Sequence, residues 1–558
     1  MDDYFDLGTY ARPITAAAED AATWARRGLL WCYAYHHEEA IACFERALAV
    51  DPGCPLALWG RAYALGPNYN FGWHLMDEAG RGEALAGAYG AVTAARVQAI
   101  GATPEERALI HALAARYPQA ALADLDTMRA WNGDFADAMR AAHIAHPGDL
   151  DLRAIYAEAL LNVTPWRMWD PATGRPAPGA RTDEARAVLE QGFADQPAAW
   201  THPGLLHLYI HLMEMSPTPE AALRHADALR DLCPDAGHLV HMPTHIDVLC
   251  GDYASTVRGN ERAVQADWVE YTRSGGMNFY TAYRQHNYHF VIYGAMFAGQ
   301  MGPALAAARA LAETTPAAML QIESPPMADF LEPYLAFEPH VLIRFGRWTD
   351  LLALPFPEDQ ALYATCTATL HYAKGVAHAA RDRVPEAEAA QARFEAARRR
   401  VPKGRRLHNN TMEDLFAIAA EMLAGEIAYR RGDYDTAFAH LRRSVALDDA
   451  LPYDEPWGWM QPTRHALGAL LFEQGQVEEA EAVYREDLGL GGTLPRSQIH
   501  PDNVWAMRGL YQCLIARGAE AEAALLKRRL DVVEARADAP VRASCFCAQA
   551  AMAGAQPS

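Results

Sequence analysis

Between Trp24 and Pro52, large, small and helix-ending residues fall at intervals that suit two helices packed on each other. The segment reads AATWARRGLLWCYAYHHEEAIACFERALAVDP. Gly28, Ala40 and Ala47 are small enough to let two helix axes approach closely. Trp24, Trp31 and Phe44 are large enough to fill the seam between them. Pro52 cannot continue a helix and closes the second one. A chain built from such units buries its apolar faces by stacking neighbours, so it grows as an array.

The spacing matches the repeat of about 34 residues with Trp, Leu-Gly, Tyr, Ala, Phe, Ala and Pro at set positions. In it Trp24 takes position 4, Gly28 position 8, Trp31 position 11, Ala40 position 20, Phe44 position 24, Ala47 position 27 and Pro52 position 32, while Arg27 stands where Leu is usual. The chain thus resembles the tetratricopeptide-repeat family. The register returns at Gly425, Ala437 and Leu441, again at Leu467, Gly468, Leu471, Ala480, Tyr484 and Pro495, and again at Trp505, Gly509 and Ala521. A second repeat opens at 55–65 and is interrupted by the aromatic stretch GPNYNFGWHLMDEAG. Helical patterns follow at 82–100, 104–116 and 121–147, then a Pro- and Gly-rich loop at 164–181 carrying Trp166 and Trp169. The resemblance implies an all-α superhelix (solenoid) of roughly 12 helical pairs with a concave inner face. Along it we expect a lead-in at 1–19, N-terminal repeats at 20–200, a histidine-rich centre at 201–320, C-terminal repeats at 321–538 and a tail at 539–558.

A chain of 558 residues exceeds what one compact core organises, which agrees with an array. The net charge of −21 leaves no basic face for phosphates and excludes nucleic acid as a partner. No run of about 18 apolar residues occurs, so no membrane span is expected. The acidic start MDDYFDLGTYARP is unlike a signal peptide, and the odd number of cysteines, nine, mostly in apolar helical patterns, reads as reduced core thiols of a cytoplasmic protein. Cys545 and Cys547 are read as a packed or free pair, with metal or redox chemistry the alternative.

Eight of the 22 histidines (207, 211, 225, 238, 241, 245, 286 and 289) fall between positions 207 and 289, a local enrichment that calls for a cause. Three pairs stand at helical spacing: His207 with His211, His241 with His245, and His286 with His289. Side chains three or four apart share one helix face, so each pair can offer two imidazoles to one ion. The family register places His207, His211, Glu214, His286 and His289 at positions that line the concave groove. It places His238, His241 and His245 at positions that are usually apolar packing, where Pro243 should distort the helix. The competing reading of the six is an imidazole hydrogen-bond network packed among Tyr209, Tyr283 and Tyr288.

These residues point to a transition metal, one or two ions of copper, iron or zinc, because neutral imidazole suits those and disfavours magnesium and calcium. The six paired histidines are the expected ligands. Glu214 is a ligand, an orienting carboxylate or the catalytic acid/base. His238, Asp247 and Tyr288 are supporting or alternative ligands, and Met213, Met215 and Met242 are read as core. Tyr280, Tyr283, Tyr288 and Trp268 suit an aromatic substrate or an electron relay, or plain packing. The expected function is a metal-dependent enzyme on a small molecule, an oxidoreductase with a hydrolase close behind. The alternative is a non-catalytic scaffold that takes a peptide or protein partner in its groove.

Overall fold

The computed structural model describes residues 4–548, so the ends of the lead-in and of the tail lie outside the described residues. The architecture is all-α and built from antiparallel helix pairs. Among the described residues the strands form only two short hairpins, Trp169–Asp170 with Arg175–Pro176 and Arg406–Leu407 with Asn410–Thr411. No described helix is long and apolar enough to cross a membrane. The chain divides into two units: unit 1 runs to Ile246 and adds Arg262–Tyr280, while unit 2 takes Asp247–Glu261 and continues from Thr281.

In unit 1 the first pair is Glu19–Tyr33 and His37–Val50, as the spacing predicts. Phe44 lies between two glycines: a Cβ on Gly28 would stand 2.7 Å from its ring, and one on Gly60 would stand 2.1 Å away. No side chain larger than hydrogen fits at either place. Later helices start on side-chain caps, with Asp77, Asp124 and Asp149 accepting from backbone N–H groups and Thr103 with Glu106 forming a capping box. The 164–181 loop forms the first hairpin, and Trp169 donates its indole N–H to the Leu212 carbonyl at 2.6 Å. That bond ties the loop to the helix Pro203–Met213, which carries His207 and His211. Pro243 acts as expected: the segment splits into Gly237–His241 and Pro243–Leu249.

Unit 2 repeats the same packing. Its pairs include Ala364–Ala380 with Val384–Arg398, Met412–Arg430 with Tyr434–Asp449, Thr463–Glu473 with Val477–Asp487, and Val504–Ala516 with Glu520–Glu534. Tyr484 plays the part of Phe44: Cβ atoms on Gly468 and Gly509 would stand 2.6 and 2.2 Å from its ring. Cys32, Cys43, Cys233 and Cys513 are free and buried, as expected, while Cys250, read from the sequence as a core thiol with them, is only half-buried. Cys545 and Cys547 depart from the expected packed or free pair and form a disulfide; with one residue between them, the chain itself holds the two sulfurs in reach.

Candidate metal centre

The centre of unit 1 is the helix Pro203–Met213. Pro203 sits in its first turn, where a missing N–H costs nothing, and His202 caps it by accepting from Leu205 N. His202 Nε2 also lies 3.1 Å from buried Asp151, which anchors the start of the helix. One turn apart, His207 and His211 project into the interior, with 1% and 0% of their surface exposed. Gly237–His241 brings His238 and His241 to the same place, and the next turn adds His245.

Hydrogen-bond partners fix which nitrogen of two of these rings, His207 and His211, carries the proton. His207 Nδ1 is 2.7 Å from the Tyr33 carbonyl, an atom that only accepts. His211 Nδ1 is 3.0 Å from one oxygen of Glu214, and His245 Nδ1 is 2.8 Å from the other. The Nδ1 of His207 and the Nδ1 of His211 therefore donate, and the Nε2 of each keeps its lone pair. The Nε2 of His211 is buried with no hydrogen-bond partner. The Nε2 atoms of His207 and His238 stand 3.1 Å apart, and those of His241 and His245 2.6 Å apart.

His207, His211 and His238 each offer a ring nitrogen within 4.8 Å of the others, so this group could hold an ion. Imidazole nitrogens bound at about 2.0–2.1 Å around a tetrahedral ion stand roughly 3.3 Å apart, and the His207 and His238 Nε2 atoms stand 3.1 Å apart. Burial, and the neighbouring imidazoles, push the pKa of all three well below the ordinary histidine value. They are held neutral, as ligands must be.

An aromatic wall encloses the group. The Tyr35 ring lies 4.6 Å from His207 and stacks near His211 and His238, and Tyr69 and Trp166 flank His211 at 4.8 and 6.0 Å. Tyr35 and Trp166 both have positive φ, 54° and 58°. That conformation costs a bulky residue about 1–3 kcal/mol and persists only where the surroundings impose it. Tyr35 and Tyr69 carry no sequence signal beyond being aromatic, and Trp166 stood out only as a loop residue.

The other expected residues fall as follows. His207 and His211 do not line an open groove, as the repeat register predicts, because the loops bearing Tyr69 and Trp166 cover them. Met213, Met215 and Met242 are core. Tyr280 stacks on His36 at 4.0 Å and donates to Asp267. Trp268 is 41% exposed, which removes it from any relay through the interior. Asp247, Tyr283, His286, Tyr288 and His289 belong to unit 2 and are buried there. In that unit His286 packs against His408 with ring centres 4.5 Å apart, and His289 stacks on Phe337 at 4.5 Å.

Compared with known protein families the chain matches none, and no curated protein matches it. Among solved structures it is similar to a chain of the Naa15/Naa10 complex bound to HypK, at 14% identity over 92% of this chain and 70% of that one, with a TM-score of 0.22. It is also similar to a chain of the APC/C hetero-tetramer Cut9-Hcn1, at 10% identity over 92% of this chain and 93% of that one, with a TM-score of 0.27. At this distance neither bears on function.

Proposed function

We propose that unit 1 holds one or two transition-metal ions in its histidine cluster, and that the chain is a metal-dependent enzyme of the tetratricopeptide type. The observation that carries this reading is the fixed set of tautomers. The Tyr33 carbonyl and Glu214 hold the protons of His207 and His211 on Nδ1 and leave both Nε2 lone pairs free, that of His207 3.1 Å from His238 Nε2. A metal site needs that orientation from its supporting residues. A packing network does not need an imidazole nitrogen buried without a partner, as His211 Nε2 is. On this reading His207, His211 and His238 bind one ion, and His241 and His245 bind the second. Glu214 orients them: its Oε1 accepts from His211 Nδ1, and its Oε2 stands 2.8 Å from His245 Nδ1. A donor set of imidazoles favours copper, iron or zinc, and redox chemistry over hydrolysis. The aromatic wall suits a small substrate.

The repeat fold by itself supports a second reading, a scaffold that binds a protein or peptide partner, and the comparisons add nothing for catalysis. The net charge of −21 gives that partner a basic segment. Elemental analysis of the purified chain separates the two. The enzyme reading expects stoichiometric transition metal that is lost from the folded His211→Ala/His245→Ala variant. Metal-free protein that cannot be reconstituted leaves the scaffold.

A further inference from the structure

The loop 544–547 in unit 2 is held in place by contacts other than its disulfide. Ser544 Oγ donates to the His465 carbonyl at 2.8 Å and accepts from the Tyr484 hydroxyl at 2.6 Å. Arg344 donates to the Ser544 carbonyl, and Arg430 donates to the Cys547 carbonyl. Phe546 lies against Gly346, where a Cβ would stand 2.7 Å from its ring, and meets Trp505 edge-on. A disulfide restricts the unfolded chain least when the loop it closes is shortest, and this one spans a single residue. As a staple it adds little to a loop already fixed from both sides. The other seven cysteines are free thiols, so the fold does not otherwise rely on disulfides.

Beside the loop is a cavity of about 40 Å³, room for a few water-sized groups. Cys545 and Cys547 both line it, together with Arg344, Glu426, His465 and Trp459. Cys545 is half-buried, whereas Cys547 is 3% exposed. An attacking thiol therefore reaches Cys545 first, and the cavity gives the two sulfurs room to part. A close-packed interior offers no such room. Arg344 is buried, and among the described residues no carboxylate pairs with it directly; Asp487 reaches it only through His465, by two contacts of 2.9 Å. Glu426, the acid in the cavity wall, is taken up by Arg430 at 2.9 Å. The Arg344 guanidinium is thus left for a new negative charge, and a thiolate released from the disulfide provides one. Arginine beside a sulfur favours its thiolate, which makes it the better leaving group.

We propose that Cys545 and Cys547 are a redox-active pair that exchanges with a small thiol. The thiolate of that reductant attacks Cys545 Sγ, forming a mixed disulfide as the bond to Cys547 breaks. Cys547 Sγ leaves with the electron pair. A second thiolate then attacks the reductant's sulfur in the mixed disulfide, releasing the oxidised reductant and the Cys545 thiolate. Two thiols are oxidised to one disulfide, the protein disulfide is reduced, and the two protons end on Cys545 and Cys547. The site lies wholly in unit 2 and stands or falls independently of the unit 1 cluster.

The test equilibrates the native full-length chain in mixtures of glutathione and its disulfide. Free thiols are then alkylated, and the peptide holding Cys545 and Cys547 is measured by mass spectrometry. The pair is expected to open and close reversibly, with the circular-dichroism spectrum unchanged and buried Cys32, Cys43 and Cys233 unmodified. Cys547→Ser should accumulate a glutathione adduct on Cys545, while Cys545→Ser should form none on Cys547. A pair that stays closed until the chain unfolds, or that glutathione disulfide cannot close, overturns the proposal. So does Cys547→Ser without an adduct on Cys545, or an adduct on Cys547 in Cys545→Ser.

Discussion

Glu214 Oε1 lies 3.0 Å from His211 Nδ1 while its Oε2 lies 2.8 Å from His245 Nδ1, so one buried carboxylate sets the proton position on His211 and faces a second imidazole. Glu214 itself has no exposed surface. Replacing it by Gln keeps the shape but swaps one accepting oxygen for a donating amide. Where the amide replaces Oε1, His211 must move its proton to Nε2 and lose that lone pair. Glu214→Gln is expected to weaken metal binding by about 10–100-fold with little change in the apo fold. Competition against a chelator of known affinity measures it; unchanged affinity would show that the carboxylate orients nothing.

Metal binding to the native state alone also raises its stability, by roughly 2.7 kcal/mol at 100 times the dissociation constant. Reconstituted protein should therefore melt higher than chelator-treated protein. The difference should vanish in His211→Ala/His245→Ala, as followed by circular dichroism.

The helix pairs were legible because their signal is steric and local. Gly28 with Phe44, and Gly468 with Tyr484, sit at fixed separations, and the structure places each aromatic ring over its glycine. The split at Pro243 was legible for the same reason. His207, His211, His241 and His245 were visible as helical pairs, but the enclosure around them was not. Tyr35, Tyr69 and Trp166 reach His211 through positive-φ turns and long loops, which leave no periodicity to read. The same holds for His408 and Met460, which approach His289 from far along the chain.

Packing at the glycine positions gives a paired prediction. A Cβ on Gly509 would stand 2.2 Å from the Tyr484 ring, whereas one on Gly90 meets nothing within 4 Å. Gly90 lies inside the helix Glu78–Gln98. Gly509→Ala is expected to destabilise by about 1–3 kcal/mol through overpacking. Gly90→Ala should stabilise by roughly 0.5–1 kcal/mol, because alanine loses less backbone freedom in a helix. Denaturant midpoints at constant slope decide both, and equal effects would refute the close crossing.

Acid should destabilise the apo protein before its solvent-exposed carboxylates titrate. Burial pushes His340, His465 and His225 from 6.5 down to about 4, with Arg344 adding to the effect at His465. In the unfolded chain these rings take up protons near pH 6.5, while in the folded chain they stay neutral. The unfolded state therefore binds more protons, and stability falls as pH drops from 6.5 toward 4. Each site contributes up to about 2 kcal/mol by pH 5 on a scale of about 1.4 kcal/mol per pH unit. Buried acids oppose this: burial raises Asp149, Glu158, Glu332, Glu426 and Asp448. Glu158 rises to about 7 and Asp448 to about 6, and such groups regain stability as they are protonated over the same range. His37 is also pushed down to about 4, and His207, His211, His238 and His289 well below the ordinary value. Lowered histidines outnumber these acids, so the melting temperature of chelator-treated protein is expected to fall steadily from pH 7 to pH 5. Glu158→Gln removes one opposing group and should steepen the fall. A melting temperature flat across that range would mean that these rings are not buried in the neutral form.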